Sequence, residues 1–277
     1  MKAAVLGSPV SHSLSPALHL AAYAALGLTG WSYQAIDCDE AGLPDLIGRC
    51  GPDWAGLSLT MPLKQAVLPL LDAAEPGVTQ LAAANTVVFA DGARHGYNTD
   101  VAGIMAALTE AGADRTRPVV ILGAGATARA ALAAVHGLGA RAATVAVRDP
   151  ARAADTVAAA ARLGMTITLA PFAPPAAPGH LLISTVPAGA ADSYAERISG
   201  AGPGPAAVLD AVYHPWPTKL ALAAGRSGAT VISGFEMLVH QAARQVELMT
   251  GRPAPAAQMR AGGLAELHRR ATDPGLA

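Results

Sequence analysis

Apolar runs of strand length alternate with stretches of helical period along most of this chain. From the N-terminus, KAAVLG predicts a buried strand, SPALHLAAYAALG a helix with Pro16 in its first turn, and WSYQAIDC a second strand. LPDLIGRC then reads as helical, WAGLSLT as a strand, and PLKQAVLPLL as one helix begun by Pro62. ANTVVFADGARHGYNTD predicts two short strands about an Asp-Gly turn, the pair that favours a tight hairpin. VAGIMAALTEAG is a helix ending at Gly112, and the polar ADRTRP after it reads as a link.

From residue 118 the alternation restarts. PVVILG, AATVAV, LLISTV, AVLDAVY and TVISG are strands; ATARAALAAVHGLG, PARAADTVAAAARLG and TKLALAAGRSG are helices. That order predicts a parallel sheet with helices on both faces. PFAPPAAPGH, with four prolines, reads as a surface loop. FEMLVHQAARQVELMTG is one long amphipathic helix, and QMRAGGLAELHRRA is a last helix before a polar tail. The fold class is therefore α/β: an N-terminal α/β unit, a Rossmann-like dinucleotide-binding unit, and a C-terminal helix returning to the first. The boundaries expected are 1–101 with helices over 235–277 packing back on it, and 102–234.

Composition narrows the function. A length of 277 residues suits two domains. Net charge is −1 with 14% charged residues, which leaves no basic stripe for nucleic acid. Hydrophobic content of 52% contains no run near the roughly 20 residues that span a bilayer. The start MKAAVLGSPVSHS lacks the apolar core of a signal peptide, so a cytoplasmic location is expected, with no membrane partner. Cys38 and Cys50 form no disulfide framework, and eight scattered histidines show no metal-ligand spacing, so no metal is expected. Oligomeric state stays open between monomer and homodimer.

In VVILGAGATARAAL, Gly123 and Gly125 fall between a strand and a helix, where glycine lets backbone amides approach a pyrophosphate at the positive helix end. The following strand ends VAVRDPAR. Arg148 and Arg152 there favour a ribose 2'-phosphate and hence NADP, while Asp149 beside them is the residue type that reads an unphosphorylated ribose. LSLTMPLK supplies Thr60 and Lys64, and GYNTD supplies Asn98, Thr99 and Asp100. A ketone reductase needs a proton donor for the developing alkoxide, and a lysine beside a carboxylate is a candidate. Taken singly, a solvated lysine and a helix-capping aspartate account for Lys64 and Asp100 as well.

Together GSPVSHSLSPALH, SLTMPLK, ANTV, GYNTD, GAGATARA, DAVYHPWPTKL and GFEMLVHQAARQ resemble the shikimate dehydrogenase family in their order, from Gly7 to Gln241. The resemblance implies reversible NADPH-dependent reduction of 3-dehydroshikimate to shikimate, in the pathway to chorismate and the aromatic amino acids. It implies that Ser13 and Ser15 bind the substrate carboxylate, that Thr60, Asn85, Asp100 and Gln241 bind ring hydroxyls, and that Lys64 is the general acid and base with Asp100 beside it. Tyr213 matches a tyrosine near the substrate. Gly123, Ala124, Gly125, Ala126 and Thr127 match the pyrophosphate loop, Arg148 and Arg152 the adenosine-phosphate arginines, and Ala211 and Gly234 backbone near the nicotinamide. His12 reads as a local hydrogen-bonding residue, and Ser15 as a substrate ligand that also caps its helix. The expected active site lies in the cleft between the two units. Leu20 and Ser58 stand where the family often has asparagine, and Val147 and Asp149 where it often has asparagine and threonine. Those departures keep a second enzyme open, one acting on quinate or using NAD, and a non-catalytic nucleotide or metabolite sensor is the rival of another class.

Overall fold

The computed structural model describes residues 1–174, 178–199 and 204–272. Contacts divide the chain into two units, Met1–Thr99 joined by the chain from Leu238 onward, and Asp100–Met237. The division thus falls at the start of one helix and inside another, a few residues from the expected 101 and 234.

The first unit contains β1 (Lys2–Gly7), α1 (Ser15–Ala25), β2 (Ser32–Asp37), α2 (Leu43–Gly48), β3 (Trp54–Leu59), α3 (Leu63–Ala66), β4 (Ala73–Ala74), α4 (Pro76–Leu81), β5 (Thr86–Ala90) and β6 (Ala93–Tyr97). Its strands form one sheet in the order β2-β1-β3-β5-β6-β4. β1 runs parallel to β2 and β3, because a helix intervenes at each crossover, whereas β5 is antiparallel to β3 and β6 to β5. The β5–β6 hairpin turns at Asp91 and Gly92, with φ of 53° and 75°, as a two-residue turn between twisted strands requires. Leu6, Leu57, Leu59, Leu63 and Val87 meet in the core beneath it.

The chain continues through α5 (Thr99–Glu110), β7 (Val119–Leu122), α6 (Ala126–Gly137), β8 (Ala142–Val147), α7 (Ala154–Arg162), β9 (Thr166–Pro171), β10 (Leu181–Ser184), α8 (Asp192–Ser199), β11 (Ala207–Asp210), α9 (Lys219–Arg226) and β12 (Thr230–Ser233). The six strands of this second unit are all parallel, in the order β12-β11-β10-β7-β8-β9. Counted from β7, that is the 3-2-1-4-5-6 order of the Rossmann fold, whose direction of winding reverses between β7 and β10. β7, β10 and β11 are buried at every position, as strands covered on both faces must be. α10 (Gly234–Thr250) then carries the chain back to the first unit, where α11 (Ala256–Thr272) packs on α1. No helix among the described residues is long and apolar enough to cross a membrane.

Several elements differ from the pattern expected. The single helix over PLKQAVLPLL is α3 followed by a 3-10 turn at Leu68–Leu70, because Pro69 has no N–H for the ladder and its ring crowds the carbonyl four residues back. PARAADTVAAAARLG likewise opens as a 3-10 turn, Pro150–Ala153, before α7. α4 has no counterpart in the expected pattern because its Pro-Gly start looks like a breaker, though Pro at the first helical position is favourable. β9 lies at a sheet edge with little burial, and α8 is a short, largely polar helix that buries one face through Tyr194, Ala195 and Ile198, so neither shows as an apolar run. Pro171 of the expected proline loop ends β9, and residues 175–177 of that loop and 273–277 of the expected tail lie outside the described residues.

Candidate active site

In the first unit the candidate substrate residues gather around the carboxyl ends of β1 and β3, where parallel strands leave loops free to bind ligands. The backbone ties these loops together. Ser8 N–H donates to the Met61 carbonyl at 3.1 Å, Thr60 N–H to Leu6 at 2.9 Å, Leu59 N–H to Asn85 at 2.7 Å, and Ala84 N–H to Lys64 at 2.8 Å. Lys64, in α3, is thereby held beside Asn85, just ahead of β5. Gly7 is required at the end of β1, because a Cβ there would fall on the Thr60 methyl and reach the Met61 carbonyl oxygen at 3.0 Å.

Ser13 accepts from Ser15 N–H at 3.2 Å through its hydroxyl oxygen. The expected capping by Ser15 is therefore corrected: Ser15 is the first residue of α1, and Ser13 satisfies its free amide. The serine loop is pinned from the far end of the chain. Arg270 of α11 donates to the carbonyls of His12 at 2.8 Å and Ser13 at 3.1 Å, and to Glu266 at 2.7 Å. Arg269 and Arg270 together hold the Glu266 carboxyl down at about 2. His12 contributes its backbone to this contact while its side chain is exposed.

Asn85 and Gln241 are 156 positions apart, yet Asn85 Nδ2 donates to Gln241 Oε1 at 3.2 Å and to Thr99 Oγ1 at 2.9 Å. Thr99 N–H returns a bond to Asn85 Oδ1 at 2.8 Å. Asn85, Thr99 and Gln241 are all buried. Asp100 follows Thr99 in the first turn of α5 and is buried as well. Asn98 joins no ligand group; its amide donates to the Ala83 carbonyl at 2.9 Å and its backbone N–H to Glu75.

Behind this group lies a titratable residue that sequence patterning does not single out. His19 of α1 is fully buried, stacked on Tyr33 at 4.0 Å, and burial pushes its pKa from 6.5 to about 3. The unfolded chain protonates this imidazole below pH 6.5 and the folded chain only near 3, so acid favours unfolding and stability is lost as pH falls through that window. At pH 5 the loss is about 2 kcal/mol relative to pH 7. Denaturant unfolding at the two pH values should show it for the native chain, and His19→Leu should remove that share of the slope; an identical slope in the variant would assign it to other groups.

In the second unit Gly123, Ala124, Gly125, Ala126 and Thr127 form the loop from β7 into α6, at the reversal of the sheet. Gly123 adopts φ 98°, and a Cβ on it would meet Thr185 Oγ1 at 2.9 Å, so only glycine fits. A Cβ on Gly125 would meet no atom within 4 Å, which leaves open space over the N-terminus of α6 for a phosphate. The loop is braced by Thr156, whose hydroxyl donates to the Ala124 carbonyl at 2.8 Å, and by Thr185, which donates to Leu122 at 2.7 Å. Neither residue stands out in the sequence, since a hydroxyl supplied by another element, α7 for Thr156 and the end of β10 for Thr185, leaves no local signature. These residues fit a dinucleotide.

Arg148, directly after β8, and Arg152, within the 3-10 turn that follows, are both exposed. Between them Asp149 caps the 3-10 turn, accepting from Ala151 N–H at 3.0 Å. Its carboxylate thus has a structural task of its own. Ala211 and Tyr213 leave β11 behind Asp210, a buried carboxyl whose pKa is raised by burial and which accepts from the Thr218 hydroxyl at 2.7 Å. Gly234 packs directly on the Ala211 carbonyl group.

Comparison with known proteins gives a consistent result. Residues 5–87 match the shikimate dehydrogenase substrate binding domain, and residues 234–261 the shikimate 5'-dehydrogenase C-terminal domain. A protein of Moorella thermoacetica named shikimate dehydrogenase (NADP(+)) is 38% identical, over 92% of this chain and 90% of its own length. The crystal structure of Mycobacterium tuberculosis shikimate dehydrogenase is 42% identical with a TM-score of 0.86, covering 95% of this chain and 99% of that one. The Thermus thermophilus enzyme, solved in complex with NADP(H) and shikimate, superposes with a TM-score of 0.84 at 33% identity, covering 96% and 99%.

Proposed function

The chain belongs to the shikimate dehydrogenase family, and from that premise we propose that it catalyses the reversible NADP-dependent reduction of 3-dehydroshikimate to shikimate. The bound nicotinamide supplies the hydride for the carbonyl carbon. Lys64 supplies a proton from Nζ to the carbonyl oxygen as negative charge develops there, and Asp100 orients that ammonium and accepts from a neighbouring hydroxyl. Ser13 and Ser15 offer neutral donors to the substrate carboxylate, with Arg270 holding their loop in place. Thr60, Asn85 and Gln241 bind ring hydroxyls, and Tyr213 is assigned to the substrate as well. Gly123–Thr127, Arg148, Arg152, Ala211 and Gly234 hold NADP.

The observation that carries this reading is the joining of Asn85 and Gln241, distant in the chain, into one buried polar group beside the strand turn that bears Lys64. Reduced-nicotinamide absorbance, followed with shikimate or quinate and with NADP+ or NAD+, tests it; no reduced cofactor from shikimate and NADP+ defeats the proposal. Cofactor choice follows from the exposed arginines. Arg148→Ala and Arg152→Ala should each raise the KM for NADP+ about tenfold, as loss of a charge-assisted phosphate contact does, with the KM for NAD+ little changed. Equal effects on both cofactors would remove the 2'-phosphate assignment.

A further inference from the structure

Gln245 lies one helical turn beyond Gln241 on α10, on the same face, and is 1% exposed. A buried primary amide has two donor hydrogens and two acceptor lone pairs to satisfy. All four are met. Oε1 accepts from Ser58 Oγ–H at 2.8 Å and faces His19 Nε2 at 3.3 Å, while Nε2 donates to Thr86 Oγ1 at 2.9 Å and to the Asn85 carbonyl at 3.3 Å.

The direction of each bond is forced. A carbonyl oxygen only accepts, so the amide nitrogen must face Asn85 and the amide oxygen must face Ser58 and His19. His19 therefore carries its proton on Nε2, and its Nδ1 lone pair faces the Tyr23 hydroxyl at 3.4 Å. Ser58, having given its hydrogen to Gln245, accepts from the Tyr33 hydroxyl at 2.7 Å. On the other side, Thr86 accepts from Gln245, so its own hydrogen goes to Asn85 Oδ1 at 2.9 Å. With Thr99 N–H on the same oxygen, Oδ1 is held as the acceptor end, and Nδ2 is turned to Thr99 Oγ1 and Gln241 Oε1.

We propose that Gln245 is a positioning residue for substrate binding: through Thr86 it helps to lock the Asn85 amide with its donor end toward Gln241, the orientation in which the N–H now given to Gln241 at 3.2 Å is exchanged for a ring hydroxyl when substrate binds. The inference rests on the reading of Asn85 as a hydroxyl ligand, and its direct readout does not. Reversal of the Asn85 amide would set its nitrogen against two hydrogens: the Thr99 N–H opposes it from the backbone, and Gln245 adds a second restraint by holding the Thr86 hydroxyl with its hydrogen toward Asn85. Ser58 serves the same end from behind, because its short side chain leaves room for the Gln245 amide head where a longer residue would stand.

Gln245→Leu keeps the volume and removes all four bonds; Thr86→Val is isosteric and cuts the relay one bond later. In each variant the KM for shikimate should rise about tenfold, one hydrogen bond's worth of orientation, with the KM for NADP+ unchanged. The double variant should be no worse than either single one, since both cut one path. Nuclear magnetic resonance of the Asn85 side-chain amide, assigned by its disappearance in Asn85→Asp, reads the lock without turnover. Its two protons should shift and exchange with solvent at least about tenfold faster in both variants, as expected when a hydrogen bond is lost. Unaltered Asn85 amide resonances in either folded variant overturn the proposal. Changed resonances with an unchanged shikimate KM leave the lock standing and sink the assignment of Asn85 as a substrate ligand. If Gln245→Leu does not fold, Gln245→Met, which removes the same bonds with a more adaptable apolar side chain, decides by the same two measurements.

Discussion

Lys64→Ala is expected to lower kcat by about three orders of magnitude, within the range a positioned general acid contributes. Its α3 backbone is fixed by the Ala84 N–H to Lys64 carbonyl bond at 2.8 Å, which any residue at 64 can make, so truncation removes the ammonium without releasing the turn. Affinity for NADP+ should not change, because the loop Gly123–Thr127 and the two arginines belong to the other unit. Lys64→Arg separates charge from proton transfer. A guanidinium keeps the positive charge but does not give up its proton in proteins, so it should restore little of kcat. Steady-state kcat beside NADP+ binding by fluorescence checks both, and near-normal turnover in Lys64→Ala would falsify the assignment.

Gly234→Ala should be the most damaging single-methyl change. A Cβ at Gly234 would fall on the Ala211 carbonyl group and lie 2.9 Å from the Ala211 Cα, and backbone, unlike a flexible side chain, has no rotamer to give. Overpacking of this kind costs about 3 kcal/mol, the upper part of its usual range. The strain falls on the link between β11 and the start of α10, where Ala211 and Tyr213 begin their loop, so the KM for NADP+ should rise as well. Thermal unfolding and cofactor titration of the purified variant measure the two effects. Gly125→Ala is the control: its Cβ meets nothing, so stability should stay within the roughly ±0.5 kcal/mol typical of an open surface site, and only cofactor binding should suffer. Equal stability of Gly234→Ala and the native chain would contradict the packing argument.

Much of the second unit was legible residue by residue, since buried parallel strands such as VVIL and LLIS are continuous apolar runs and the glycines between strand and helix mark the loop. Edge elements were not. β9 and α8 are short and contain few apolar residues, so neither stands out as an apolar run, and the Pro69 break in PLKQAVLPLL was outweighed by the apolar residues around it. In the site, chemistry-bearing residue types stood out, while braces such as Thr156, Arg270 and Gln245 did not. Gln245 had one available signal, its spacing of four from Gln241 on the same helix face.

The linear order of residues carries the alternation of strand and helix, the glycine turn after β7, and a lysine, an aspartate and two serines at spacings that match one family. Periodicity and local turn chemistry act over a few residues, so a linear reading captures them. Folding is what brings Asn85 to Gln241, sets Arg270 on the serine loop, makes Asp149 a cap, and turns the Asn85 amide one way. Those outcomes depend on buried donors and acceptors finding partners far away in the chain, and the direction of each bond is set only when every member of the network is in place.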